Sequence, residues 1–170
     1  MNESKYLSHS MAHYLLTIHK LRETRGFARV TDVAKHLGLT KGSVSTAVNN
    51  LKKKNLVHEL EDTKFLALTE TAHKEVHRVL SSRTLLYYFL KDFLAVSDEV
   101  AELDSCDMEH LISPETGEKF FKFMKMFQKL KDEGKLPEEL DLEFDLNLNK
   151  YETIEDFMSG QMGDEHLGKN

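Results

Sequence analysis

The sequence predicts a mainly α-helical protein with a basic helical front domain, a second helical domain and a short acidic tail. Three observations carry that expectation. Apolar residues recur at helical spacing through most of residues 8–130, and strand-like patterns are confined to 56–69 and 140–148. The 170 residues suffice for one compact domain or two small ones. The charge is unevenly spread. Residues 1–95 carry 15 Lys+Arg against 9 Asp+Glu, residues 96–137 carry 6 against 10, and residues 138–170 carry 2 against 10. A basic front suits a polyanionic partner, and the acidic rear should repel one, so the two halves do different jobs. The spacing sets the expected boundaries at 1–72, 73–132 and 133–170.

The first helix runs from Ser8 to about Glu23, with Met11, Tyr14, Leu15, Ile18 and Leu21 on one face and Ser8 or Ser10 as cap. Gly26 ends it. Arg29-Val30 is a brief strand at most. Thr31 caps a second helix, Asp32 to Leu37, whose Asp32 complements the helix dipole. Gly38-Leu39 makes the turn. Thr40 caps a third helix to about Lys54, with Val44, Ala47, Val48 and Leu51 facing inward. Its other face shows Lys41, Ser43, Ser45, Thr46, Asn49 and Asn50, then Lys52-Lys53-Lys54. Leu56 to Thr69 reads as two strands around a turn at Glu61 to Lys64. Short helix, tight turn, polar-faced helix and hairpin in that order make a winged helix-turn-helix.

In that arrangement the third helix enters the major groove of double-stranded DNA. Short Ser, Thr and Asn side chains reach base edges there, and lysines meet phosphates. The candidate DNA contacts are Arg29, Thr40, Lys41, Ser43, Ser45, Thr46, Asn49, Asn50, Lys53 and Lys64. Arg and Gln are absent from the exposed face of the third helix, so DNA shape and dimer spacing should add to specificity.

Thr69 caps a long helix from Glu70 toward Phe93, and another helix is expected from Asp98 to about Ser113. The latter carries Cys106-Asp-Met-Glu109-His110. Offsets of three and four put a thiolate, a carboxylate and an imidazole on one helical face. That set suits a divalent transition metal such as Fe(II), Co(II), Ni(II) or Zn(II) better than Mg or Ca. The plainer alternative is a small buried thiol beside a solvated Glu-His pair. Cys106 is the single cysteine, which fits a reducing cytoplasm.

Together these pieces resemble the DtxR/MntR family of metal-dependent transcriptional repressors over roughly residues 8–127. The anchors are Tyr14-Leu-Leu-Thr-Ile-His-Lys-Leu21, Val30-Thr-Asp-Val-Ala-Lys-His-Leu37, Ser43-Val-Ser45, Leu68-Thr69 and Cys106-x-x-Glu109-His110. The resemblance implies a homodimer on a palindromic operator, with the helices behind the winged domain forming the dimer interface. It implies a divalent metal as corepressor, one site per chain, held by His13, Cys106, Glu109 and His110, with His9 and Glu102 as possible further ligands. His13 departs from the Met or Asp of family members at that position. The ancillary site of the family falls on Arg83, Tyr87 and Glu102, where Arg83 opposes a metal; an Arg83–Glu102 ion pair is expected instead. Leu16 replaces a glutamate of the manganese-type members. These departures favour Fe(II), with Mn(II) next.

Ser113-Pro114 restarts the chain into a helix whose apolar residues between Phe120 and Phe127 cover more than one face, as a buried or dimer-forming helix requires. Beyond Gly134 and Pro137, Leu140 to Leu148 alternates like a strand, and Thr153 to Met158 suggests a last helical turn. No apolar run is long enough to span a membrane, and no signal peptide precedes the first helix. The resulting expectation is a cytoplasmic, non-enzymatic, DNA-binding repressor. One alternative is a winged-helix factor that has lost metal sensing. The other is a zinc hydrolase on Cys-x-x-Glu-His, with Glu109 as general base.

Overall fold

A computed structural model describes residues 7–137 and 143–160. The chain divides into two compact units between Val76 and His77.

The first unit opens with α1 (His9–Arg25). The Ser8 hydroxyl caps it by accepting from the Met11 N–H, and Gly26 closes it at φ 78° with its N–H on the Arg22 carbonyl. The expected brief strand at Arg29-Val30 is instead the start of α2 (Val30–Leu37). The reason is local: the Asp32 carboxylate reaches back to the Arg29 N–H at 3.1 Å, so Arg29 rather than Thr31 is the cap residue. Gly38 ends α2 at φ 65°, a left-handed conformation that glycine adopts without cost. Thr40 then caps α3 (Lys41–Lys53).

The wing follows as β1 (Val57–Glu59) and β2 (Leu66–Leu68), antiparallel, with Val57 opposite Leu68 and Glu59 opposite Leu66. The Leu60 N–H bonds the Phe65 carbonyl at 2.9 Å and closes the loop. Leu15, Ile18 and Leu21 of α1, Val33 of α2, Val44, Val48 and Leu51 of α3, and Val57 and Leu66 of the wing form the buried core. This burial, rather than helix propensity, stabilises helices as short as α2. The Thr69 hydroxyl donates to the Asn55 carbonyl and accepts from the Ala72 N–H, tying the wing to α4 (Glu70–Tyr88).

The second unit takes α4 from His77 onward. The helix widens into a π turn over Phe89–Phe93 where the sequence suggested continued α-helix. Next come α5 (Asp98–Met108) and α6 (Pro114–Asp132). The helix expected to reach Ser113 stops at Met108, because Ser113 caps α6 and Pro114 occupies its first turn.

Residues 143–160 pack onto this unit as a strap. The strand expected at 140–148 is absent over its described part, 143–148, and residues 138–142 lie outside the described residues. In its place the chain bends into a 3-10 turn (Leu148–Lys150) and then α7 (Ile154–Gly160), which fulfils the expected helical turn. Leu146, Leu148, Tyr151 and Phe157 are buried with Leu85, Phe121 and Met124. The Gln128 amide donates to the Leu146 carbonyl and accepts from the Leu148 N–H at 2.7 Å. The Asp92 carboxylate accepts from the Asp145 N–H at 3.1 Å, and Lys125 donates to the Tyr151 carbonyl.

Candidate metal centre and nucleic-acid interface

The thiol-carboxylate cluster forms at the C-terminal end of α5. Cys106 lies in the last turn and Glu109 is the cap residue, still helical at φ −52°, ψ −39°, with its N–H on the Ser105 carbonyl at 3.0 Å. Cys106 and Glu109 therefore share one face, as two of the three expected side chains, even though the helix ends early. The unsatisfied carbonyls of a helix C-terminus add to the attraction for a cation here.

Glu109 is completely buried, at 0% exposure, which is unusual for a carboxylate and demands a partner. Arg83 of α4 supplies it. Its Nε donates to one carboxylate oxygen and its Nη2 to the other at 2.9 Å, the two-pronged geometry that guanidinium matches best. The same Nη2 reaches Cys106 Sγ at 3.1 Å. The expected Arg83–Glu102 pair is thus replaced. Glu102 is exposed and acts on Arg83 only as a more distant charge, because Glu109 sits directly before the guanidinium.

The electrostatics follow from burial. Desolvation pushes the Glu109 carboxyl up, while the Arg83 hydrogen bonds and charge pull it back down. Burial also pushes the Cys106 thiol up, against the pull of Arg83. Desolvation works against the Arg83 charge, but the Glu109 contacts outweigh it and leave the guanidinium more firmly protonated. Arg78 closes the adjoining turn by donating to the Ile112 carbonyl at 2.8 Å.

The chemistry of this donor set fits a divalent metal. A soft sulfur and a hard oxygen converge on one spot, and that spot already carries a positive group. His110 follows Glu109 directly and is half-buried. His13 belongs to the first unit, on α1, where its imidazole stacks on that of His9 at 4.3 Å between ring centroids.

The candidate DNA contacts fall on α3 and its surroundings. Lys41, Ser43, Thr46, Asn49, Asn50 and Lys53 are exposed and Ser45 is half-buried, opposite the buried Val44, Val48 and Leu51. Thr40 and Ser43 are partly committed to the cap, since Thr40 Oγ1 accepts from the Ser43 N–H at 3.2 Å and lies 2.9 Å from the Ser43 hydroxyl. Thr46 donates its hydroxyl proton to the Gly42 carbonyl. Lys64 is exposed at the wing turn with φ 56°. The Arg29 guanidinium lies 5.3 Å from the Phe27 ring centroid and 4.8 Å from that of Phe65, which stack on each other.

Sequence reasoning missed the role of Arg83 at the cluster and the aromatic seat of Arg29. Local spacing offered no signal for the first, because the burial of Glu109 is set by the tertiary fold. Phe27, two residues before Arg29, and Phe65 in the hairpin loop were the hint of the second.

Known proteins extend this picture. Residues 6–63 match the family described as iron dependent repressor, N-terminal DNA binding domain, and residues 69–138 match its metal binding and dimerisation domain. The HTH-type transcriptional regulator MntR of Geobacillus kaustophilus is 33% identical over 128 residues, covering 75% of this chain and 87% of its own length. An uncharacterised HTH-type transcriptional regulator of Methanocaldococcus jannaschii is 27% identical over 72% of this chain and 98% of its own. The crystal structure of T. acidophilum IdeR superposes with a TM-score of 0.56 at 20% identity, over 66% of this chain and 53% of that one. With both units matched in order, the chain belongs to the DtxR/MntR family of metal-dependent transcriptional repressors.

Proposed function

We propose that this protein is a homodimeric cytoplasmic repressor that binds a palindromic operator when Fe(II), or secondarily Mn(II), is plentiful, and that it catalyses no reaction. The observation that carries this reading is the convergence of Cys106 Sγ and the buried Glu109 carboxylate on one cationic spot at the end of α5.

In this reading His13, Cys106, Glu109 and His110 hold one metal per chain, with Glu102 and His9 as spare donors. Bound there, the metal supplies a positive centre that joins the winged unit to the dimerisation unit. Cys106 gives up its thiol proton on coordination, so affinity rises with pH. Glu109, already desolvated, needs no further dehydration to act as ligand. Arg29, Thr40, Lys41, Ser43, Ser45, Thr46, Asn49, Asn50, Lys53 and Lys64 form the DNA face, the lysines and Arg29 on phosphates and the short polar groups on base edges. Two such faces fixed at one separation match two half-sites one or two helical turns apart. A roughly 5- to 150-fold metal response is the scale a single effector site provides.

The test is DNA binding on a pool of random duplexes, with and without Fe(II) under anaerobic conditions, for the wild type and Cys106→Ala. Metal should tighten binding of the wild type alone. Equal affinity in all four cases would overturn metal control. One observation favours a second reading, loss of metal sensing: Arg83 already supplies a positive charge to Glu109. That reading requires strong DNA binding by metal-free wild type.

A further inference from the structure

The group that meets both Cys106 and Glu109 is a side chain of the protein itself. Arg83 uses Nε and Nη2 on the two carboxylate oxygens, and the same Nη2 lies 3.1 Å from Cys106 Sγ. The three atoms a cation would seek are therefore taken. Guanidinium is a fixed cation that proteins do not deprotonate, so it cannot share those atoms with a dication by losing its charge.

The two partners differ in their access to water. The Arg83 side chain keeps 17% of its exposure, while that of Glu109 keeps none. Arg83 can swing its head toward solvent on a flexible stem; Glu109 stays where α5 ends. An exchange of one cation for another at a stationary carboxylate is the movement this geometry permits. A carboxylate buried this deeply without any cation would be strongly unfavourable, so either the guanidinium or a metal must be in place.

We propose that Arg83 is a built-in competitor for the metal: it occupies Glu109 and Cys106 in the metal-free protein, must be displaced for the ion to bind, and so sets the concentration at which the site fills. The proposal rests on the metal-control reading above and adds its threshold. It gives Arg83 two consequences at one position. The site responds only to an abundant ion, and the charge of Arg83, displaced but still close on its tether, discourages a second ion beside the first.

The experiment titrates the full-length chain with Co(II), an air-stable probe whose thiolate-to-metal absorption reports Cys106, and repeats the key titrations with Fe(II) anaerobically. Wild type is compared with Arg83→Gln, which removes the charge, and with Arg83→Lys, which keeps the charge but loses the fork. Arg83→Gln should bind roughly 10- to 100-fold tighter, the scale on which groups contacting a ligand alter metal affinity. Arg83→Lys should tighten binding by less. The metal-free melting temperature should fall in Arg83→Gln, and saturating Co(II) should restore it, whereas Co(II) should raise the wild-type melting temperature only slightly.

Equal affinities in all three proteins, or tightest binding by the wild type, would overturn the competitor role while leaving metal binding intact. Absence of Co(II) and Fe(II) binding in all three would overturn the metal-control reading itself and the competitor with it. Binding by Arg83→Gln alone would support the competitor and sink metal control of the natural chain. Arg83→Lys keeps the measurement decisive should Arg83→Gln fail to fold without metal.

Discussion

Asp92 shows how one buried side chain sets a pH response. Burial in the π turn pushes its carboxyl up to about 6 from an ordinary 3.8, and the Asp145 N–H it accepts only partly offsets this. The folded chain keeps that proton where the unfolded chain has already lost it. Between roughly pH 4 and 6 the folded state binds more protons, so stability falls as pH rises through that window. Asp92→Asn still accepts from the Asp145 N–H and does not titrate. Other carboxylates titrate too, so the difference is what reports Asp92: the wild-type midpoint should fall relative to that of Asp92→Asn as pH rises across the window, and parallel curves would refute the assignment. At the same scale, the convergence of Cys106 and Glu109 was legible in the sequence because helical offsets alone place them on one face. Their partner was not. Arg83 lies on another helix, and nothing in local spacing says whether it meets Glu102 or Glu109, seven residues apart on α5. The depth of burial decides, and burial is a tertiary property: Glu109 is at 0% exposure and Glu102 is exposed.

Among the elements, the helices whose ends carry a chemical signal were read well. Ser8, Thr40 and Ser113 each cap the helix they precede, and Gly26 and Gly38 end theirs in the left-handed region. The errors came where a side chain rewrote the backbone pattern. Asp32 moved the start of α2 two residues earlier. At 146–148 the alternation is real, with Leu146 and Leu148 buried and Asn147 exposed, yet among the described residues no strand pairs with it. Gln128 stands in for one. Its amide bonds the Leu146 carbonyl and the Leu148 N–H, the pair of groups a neighbouring strand would have bonded. A sequence pattern reports which face is buried; it does not report which hydrogen-bonding partner satisfies the backbone. Gln128→Leu keeps the volume and leaves both backbone groups buried without a partner, at roughly 1–3 kcal/mol each. Amide exchange at Leu148 should accelerate and α7 should become sensitive to protease, with the winged unit unaffected. Unchanged exchange at Leu148 would show that Gln128 is dispensable.

The whole molecule combines a basic front with an acidic rear, and the second unit exposes a set of large apolar side chains. Leu94, Val100, Leu103, Met108 and Leu111 are 40–74% exposed around α5. Isolated exposed leucines are ordinary, but five along one stretch in a domain matched to a metal binding and dimerisation family form the apolar surface expected to be covered on dimerisation. Leu103→Glu with Leu111→Glu should shift the protein from dimer to monomer in sedimentation and abolish tight operator binding, while the monomer keeps its helical content. A dimer that survives both changes would move the contact elsewhere. The DNA-binding character of the first unit was legible from element order and charge, which are properties of long stretches rather than of single contacts, whereas the dimer entered only through the family resemblance. The strap has one further use. The chain has no tryptophan and five tyrosines. Tyr151 is buried edge-on against Phe157, 5.3 Å between ring centroids. Undocking would bring its phenol into water, so ultraviolet emission from this chain carries a native optical label for the attachment of its last segment, with no dye required.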